Sequence, residues 1–142
     1  KTETFNISDL IKSTVKKYEN ANIFLNQPEK NILTGRKNLI QRCLNNLIDN
    51  ALKYAKKVKI IQEKFKKNIL IFIEDDGPGI PVSEYENVFK PFYKIDRGRG
   101  DSKSSVGLGL SISSDIIRSH GGNIELGKSE LGGLKVKISL PV

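Results

Sequence analysis

An α/β domain is the fold class this sequence predicts, and three observations predict it. Residues 36–55 carry an apolar stripe at helical spacing over about five turns. Residues 69–75, ILIFIED, are a strand-length run that is continuously apolar until its acidic end. Strand-like and helix-like segments alternate along 142 residues, with no internal repeat and no composition break to mark a second domain. A chain of this length can bury a real core.

In chain order, residues 5–7 read as a short strand, and Ser8 as the N-cap of a helix over residues 9 to about 18, with Leu10, Ile11, Val15 and Tyr18 inward. Residues 22–26 read as a strand, Gln27-Pro28-Glu29 as a turn, and 31–34 as a further extended piece. In the helix at 36–55, Leu39, Ile40, Cys43, Leu44, Leu47, Ile48, Ala51 and Leu52 form the stripe. Asn46 and Asn50 lie four residues apart, with Lys53 and Tyr54 three and four beyond Asn50, so the four share one face. Asparagine is a mediocre helix former because its amide competes for backbone hydrogen bonds. Its repetition beside a core stripe suggests a site; a solvated helix face is the plain alternative.

Residues 58–65 and 69–75 predict two strands joined at Lys66-Lys67-Asn68, the second being central and covered on both faces. Asp75-Asp76-Gly77-Pro78-Gly79-Ile80 forces a tight turn, and residues 81–88 suggest a short helix. From 90 to 105 the chain is polar, rich in Gly, Ser and basic residues, and without period, which marks a lid-like loop. Val106-Gly107-Leu108-Gly109-Leu110 then leads into a helix running to about His120 and stopped by Gly121-Gly122. Residues 123–127 and 135–140 close the chain as strands around Gly132-Gly133.

Composition narrows the function classes. The net charge of +8, from 24 basic and 16 acidic residues, favours polyanionic partners such as nucleotides. The lysines are scattered rather than interleaved with aromatics, which argues against a nucleic-acid platform. No apolar run reaches the ~18 residues of a membrane helix, and no signal peptide is evident. The lone Cys43 lies on the stripe and reads as core, consistent with a cytoplasmic setting. There is no methionine anywhere, which suggests a piece of a longer protein.

A DxGxG turn or a Gly107-Leu108-Gly109 helix start is ordinary chemistry when alone. Together with the asparagine helix they are the parts of a nucleotide pocket. Glycines at a helix start let a phosphate approach free N–H groups and the positive dipole end. A carboxylate ending a buried strand accepts a hydrogen bond from an adenine amino group and gives nothing to a guanine carbonyl. Carboxamides supply neutral oxygens to Mg²⁺, which keeps waters and borrows phosphate oxygens. Lys53 adds a point charge, Tyr54 an aromatic surface, and Lys94, Arg97, Arg99 and Lys103 the basic groups of a lid. No Walker-type GxxxxGK[ST] is present.

Asn46-x-x-x-Asn50-Ala51-x-Lys53-Tyr54, Asp75-Asp76-Gly77-Pro78-Gly79-Ile80-Pro81, Phe89-Lys90-Pro91-Phe92-Tyr93-Lys94 and Gly107-Leu108-Gly109-Leu110-Ser111 closely resemble the N, G1, F and G2 boxes of sensor histidine kinases. His120-Gly121-Gly122 and the ending GGLKVKISLPV extend the resemblance over essentially the whole chain, and ELGKSELGGL looks most like osmosensor-type kinases. The resemblance implies the α/β (α+β two-layer) sandwich of the GHKL superfamily, with a mixed sheet of about five strands and helices on one face. It implies that residues 1–142 are one catalytic ATP-binding domain. The implied ATP contacts are Asn46, Asn50, Lys53, Tyr54, Asp75, Gly77, Gly79, Ile80, Tyr93, Lys94, Gly107, Leu108, Gly109 and Leu110, with Asn50 and Asn46 on Mg²⁺ and Asp75 reading adenine. Lys94 stands where the family often has arginine, and Ser105 where the G2 box commonly starts with glycine.

The implied partners are a helical dimerisation domain that carries the acceptor histidine, and a downstream response regulator. Membrane attachment would come only through other parts of the parent protein. His120, at a helix end, is adequately explained by capping and is not expected to accept phosphate. Superfamily ATPases such as gyrase and the heat-shock chaperones place a water-activating Glu where this chain has Asn46, so assisted attack by water is not expected. The rival readings are an anti-sigma-type serine kinase of the same superfamily, a non-catalytic nucleotide-binding module and a basic nucleic-acid binder. Tight magnesium-dependent ATP binding with little DNA affinity separates the kinase from the nucleic-acid binder.

Overall fold

Alternating burial along β4 (Lys57–Phe65) and β5 (Asn68–Asp75) determines where every other layer lies. Val58, Ile60, Ile69, Ile71 and Ile73 are buried, while their neighbours Ile61, Leu70 and Phe72 are only half-buried. One face of the sheet is therefore core, and the other has no covering layer among the described residues. This corrects the expectation that residues 69–75 are covered on both faces. The apolar residues of the open face find partners across the ladder instead, as Phe72 does opposite Ile61.

A computed structural model describes all residues except Gln27, Glu29, 97–104 and Gly107; the side chains of Asp96, Ser105 and Val106 are likewise not described. The chain runs β1 (Glu3–Asn6), α1 (Ile7–Lys16), β2 (Asn22–Leu25), β3 (Ile32–Gly35), α2 (Lys37–Tyr54), β4, β5, two 3₁₀ turns at Val82–Glu84 and Asn87–Phe89, β6 (Ile95–Asp96), β7 (Ser105–Val106), α3 (Leu110–Ser119), β8 (Asn123–Lys128) and β9 (Leu134–Pro141). The main sheet is mixed, in the order β2-β4-β5-β9-β8, with β2 parallel to β4 and the other pairs antiparallel. Helix α2 packs on β4 and β5, α3 on β8, β9 and α2, and α1 on α2. The stripe on α2 enters the core as read, with Ile40, Cys43, Leu44, Leu47, Ile48 and Ala51 buried. Burial pushes the Cys43 thiol up to about 11, so it is inert core material.

Several local expectations are corrected. The N-cap of α1 is Asn6, not Ser8: Asn6 is extended, and its Oδ1 accepts the Ser8 N–H at 3.0 Å and the Asn31 N–H at 3.2 Å. The Ser8 hydroxyl instead donates to buried Gln62 Oε1 at 2.8 Å. The short helix expected over 81–88 is two 3₁₀ turns. The expected loop at 90–105 contains a two-residue antiparallel ladder, Ile95 opposite Val106 and Asp96 opposite Ser105.

His120 ties α3 to the start of α2. Its Nε2 accepts the Arg36 N–H at 3.0 Å, so the ring proton resides on Nδ1, which donates to Ile116 O at 2.8 Å. The ring packs so closely on Gly35 that a Cβ there would lie 2.6 Å from His120 Cδ2.

Candidate functional site

The antiparallel pairing of β5 with β9 and the packing of α2 on β5 leave a cleft at one end of the sheet. It is lined by Leu47, Asn50, Ala51 and Tyr54 of α2, Ile73 and Asp75 of β5, the Pro78-Gly79-Ile80 loop, Leu108, Leu110, and Leu134 and Val136 of β9. Its walls are aliphatic, with one carboxylate at the end of a central strand. Such a slot suits a flat aromatic group carrying a hydrogen-bond donor.

Asp75 is 8% exposed. Its Oδ1 accepts the Gly77 N–H at 2.9 Å and the Leu134 N–H at 3.1 Å, and its carbonyl accepts the Gly133 N–H at 3.0 Å. Among the described residues Oδ2 receives no hydrogen bond, so it is the oxygen left for a ligand in the cleft. Burial raises the Asp75 pKa, opposed by the backbone N–H groups of Gly77 and Leu134. Neighbouring Asp76 is half-buried and holds the backbone. Its Oδ1 accepts the N–H groups of Lys57 at 2.9 Å and Lys56 at 2.8 Å, which hold its pKa down and fix the exit from α2.

The two asparagines of α2 turn their amides toward the start of α3. Asn50 Nδ2 donates to Leu108 O; Asn46 Nδ2 donates to Gly109 O at 3.2 Å and to Ser113 Oγ at 2.8 Å. A carbonyl only accepts, so the nitrogens must face the loop, and both Oδ1 atoms are left without a hydrogen bond among the described residues. Two neutral oxygens one helical turn apart fit a hard cation that also takes water and phosphate oxygens. Gly109, at φ 59°, sits in the left-handed region as the residue before α3, where no side chain caps the helix. Among the described residues no side chain takes the first N–H groups of α3, a place suited to an anion.

The structure brings Asn50, Tyr54, Asp75, Gly79, Ile80, Leu108 and Leu110 together in the cleft lining. Gly77 supports Asp75 from behind, where a Cβ would lie 2.7 Å from Tyr54 O. Asn46 and Gly109 line an adjoining polar hollow between α2 and α3. Lys53 is exposed, its Nζ 5.4 Å from the Tyr54 ring centroid. Tyr93 is outside the lining, its hydroxyl donating to Glu84 at 2.5 Å, and Lys94 is exposed. Gly107, Arg97, Arg99 and Lys103 lie outside the described residues. Sequence reasoning missed Ile73, Pro78, Gly133, Leu134 and Val136. Only the Gly-Gly pair gave any signal: a Cβ on Gly133 would lie 2.1 Å from Asp75 Oδ1.

Comparison with known proteins points the same way. The family of histidine kinase-, DNA gyrase B- and HSP90-like ATPases matches residues 35–142. Sensor histidine kinase GtrS of Pseudomonas aeruginosa is 37% identical over 108 residues, covering 75% of this chain and 22% of the relative. The catalytic domain of histidine kinase ThkA has a TM-score of 0.84 at 26% identity, covering 99% of this chain and 95% of that one. The histidine kinase domain of the E. coli osmosensor EnvZ has a TM-score of 0.73 at 29% identity, covering 99% and 88%. The chain thus spans under a quarter of the length of GtrS.

Proposed function

This chain belongs to the family of histidine kinase-, DNA gyrase B- and HSP90-like ATPases, and on that premise we propose that it is the Mg-ATP-binding catalytic domain of a two-component sensor histidine kinase. Residues 1–142 act as one domain of a longer protein whose cytoplasmic portion they join. The domain donates the ATP γ-phosphoryl group to a histidine on a separate helical dimerisation domain, for relay to a response regulator. The observation that carries this reading is the aliphatic slot closed by a buried carboxylate with one oxygen unused.

In this reading the adenine lies between Ile80, Ile73, Leu134 and Val136 and donates its amino group to Asp75 Oδ2. Tyr54 flanks the nucleotide and Lys53 meets phosphate as a point charge. The start of α3, opened by Gly109, receives the phosphates on its free N–H groups. Asn50 and Asn46 fit Mg²⁺ through Oδ1, which supplies neutralising charge at the phosphates. Phosphoryl transfer depends mainly on positioning and charge stabilisation, so the domain requires an acceptor placed in line by its partner. His120 does not serve as that acceptor, since both ring nitrogens are engaged within the fold. Asn46 offers no base to activate water.

The test is incubation with γ-labelled ATP, with and without a separately made helical domain bearing the acceptor histidine. The account expects slow hydrolysis and no self-labelling alone, and weak labelling of the helical domain in trans, because the tether's effective concentration is gone. Fast hydrolysis by the chain alone contradicts it. Label on a serine of an anti-anti-sigma protein supports the serine-kinase rival instead.

A further inference from the structure

Glu74 and Asp75 are consecutive on β5 and point to opposite faces of the sheet, yet one turn grips both. Glu74 is buried although it lies on the face without helices, and its Oε1 accepts the Ser129 hydroxyl at 3.0 Å. That hydroxyl oxygen in turn accepts the Leu131 N–H at 3.0 Å. The turn closes on itself through Ser129 N–H to Gly133 O at 2.8 Å and Gly132 N–H to Ser129 O at 3.0 Å. Gly132, at φ 106°, supplies the left-handed residue this closure needs. What the closed turn presents to β5 is the pair of N–H groups that hold Asp75: Gly133 on its carbonyl and Leu134 on Oδ1.

We propose that Ser129, anchored by Glu74, is a positioning residue for base selectivity. It fixes the turn that orients the Asp75 carboxylate, and so sets the preference for a purine with an amino group, rather than a carbonyl, at the adenine amino position. The proposal rests on the reading that Asp75 accepts from the base. Ser129 is on the far side of Asp75 from the slot and touches no ligand, so its effect reaches the nucleotide only through Asp75. Losing its two bonds frees the turn to move. A carboxylate whose Oδ1 is no longer pinned then spreads over orientations, most of which lose the amino group.

The experiment measures affinities for ATP and for inosine triphosphate, whose base has a carbonyl in place of the amino group. Parent, Ser129→Ala, Ser129→Thr, Glu74→Ala and Asp75→Asn are compared by calorimetry, with a thermal melt of each. Ser129→Ala should lower the ATP-over-inosine preference roughly threefold to tenfold, the scale of one or two hydrogen bonds. Glu74→Ala, which removes the acceptor but leaves the turn's own bonds, should shift it the same way, and Ser129→Thr should restore it. A loss that falls equally on both nucleotides, or a lower melting temperature with the ratio intact, overturns the proposal. If Asp75→Asn collapses the ratio while folded Ser129→Ala or Glu74→Ala leaves it unchanged, the positioning role alone fails. If Asp75→Asn also leaves the ratio unchanged, the base-reading role fails and this proposal falls with it.

Discussion

Gly133→Ala should damage both the fold and the cleft through a single methyl group. The glycine is not there for a left-handed backbone but for space. A Cβ would lie 2.1 Å from Asp75 Oδ1, 2.6 Å from Asp75 O and 2.6 Å from Gly77 N. Rotating the carboxylate away cannot relieve the contacts with backbone atoms, so the start of β9 must also move off β5. That sacrifices the Gly133-to-Asp75 carbonyl bond and the Leu134 bond to Oδ1. At ~1 kcal/mol net for each bond, and more where a buried carboxylate loses a donor, the cost is roughly 3 kcal/mol. For a chain of this size that lowers Tm by about 10 °C. ATP affinity should fall at least about tenfold, because the wall and the carboxylate move together. Differential scanning calorimetry and a nucleotide titration on the same sample read both effects. A variant that melts and binds ATP like the parent would show that the β5–β9 junction does not hold the site.

Asn50→Ala should nearly abolish magnesium-dependent nucleotide binding. It should also loosen the start of α3 modestly, since the Asn50 amide is tied to Leu108 O; unchanged Mg-ATP affinity by calorimetry refutes the role. Asp75→Asn should weaken ATP and shrink the ATP-over-GTP preference. Because burial raises the Asp75 pKa, its ionised form opposes folding as pH rises through the shifted range, so the ligand-free Asn variant should melt above the parent at neutral pH. The same shift makes ATP affinity in the parent fall on acidification before the ordinary aspartate range is reached; a variant with the parent's pH profile contradicts this. Asp76 has the opposite sign. Its lowered pKa contributes stability present above the unfolded aspartate value and lost as pH falls through the folded one, so Asp76→Ala should cost stability at neutral pH and much less once the carboxyl is protonated in both states. Equal denaturation differences under the two conditions exclude that reading.

Much of the architecture was legible because local pattern and tertiary role agree. The stripe of α2 and the punctuation after Asp75 each have one physical solution. The placing of Asn50 and Tyr54 on one face of α2 and of Asp75 at a strand end, which bring the three to one cleft, was legible for the same reason. What escaped depends on pairings distant in the chain. Leu134 and Val136 become cleft residues, and Gly133 comes to lie against Asp75, only because β9 pairs with β5, placing Val136 opposite Ile73 and Lys135 opposite Glu74. No short-range pattern encodes that register. The sheet's open face misled for a related reason: Leu70 and Phe72 read as buried by composition, while their cross-strand partners and the one-sided helical layer leave them half-exposed. Ser8 lost the capping role to Asn6 because Gln62, far along the chain, claims its hydroxyl.

The central claim is that a carboxylate-ended slot and an asparagine-bearing helix face together bind ATP with magnesium. The most direct measurement is a calorimetric titration of the chain with ATP, with and without Mg²⁺, beside Asn50→Ala. The account predicts binding that is strengthened by Mg²⁺ in the parent and insensitive to it in the variant. ATP binding that is equally strong in both proteins and indifferent to Mg²⁺ contradicts it.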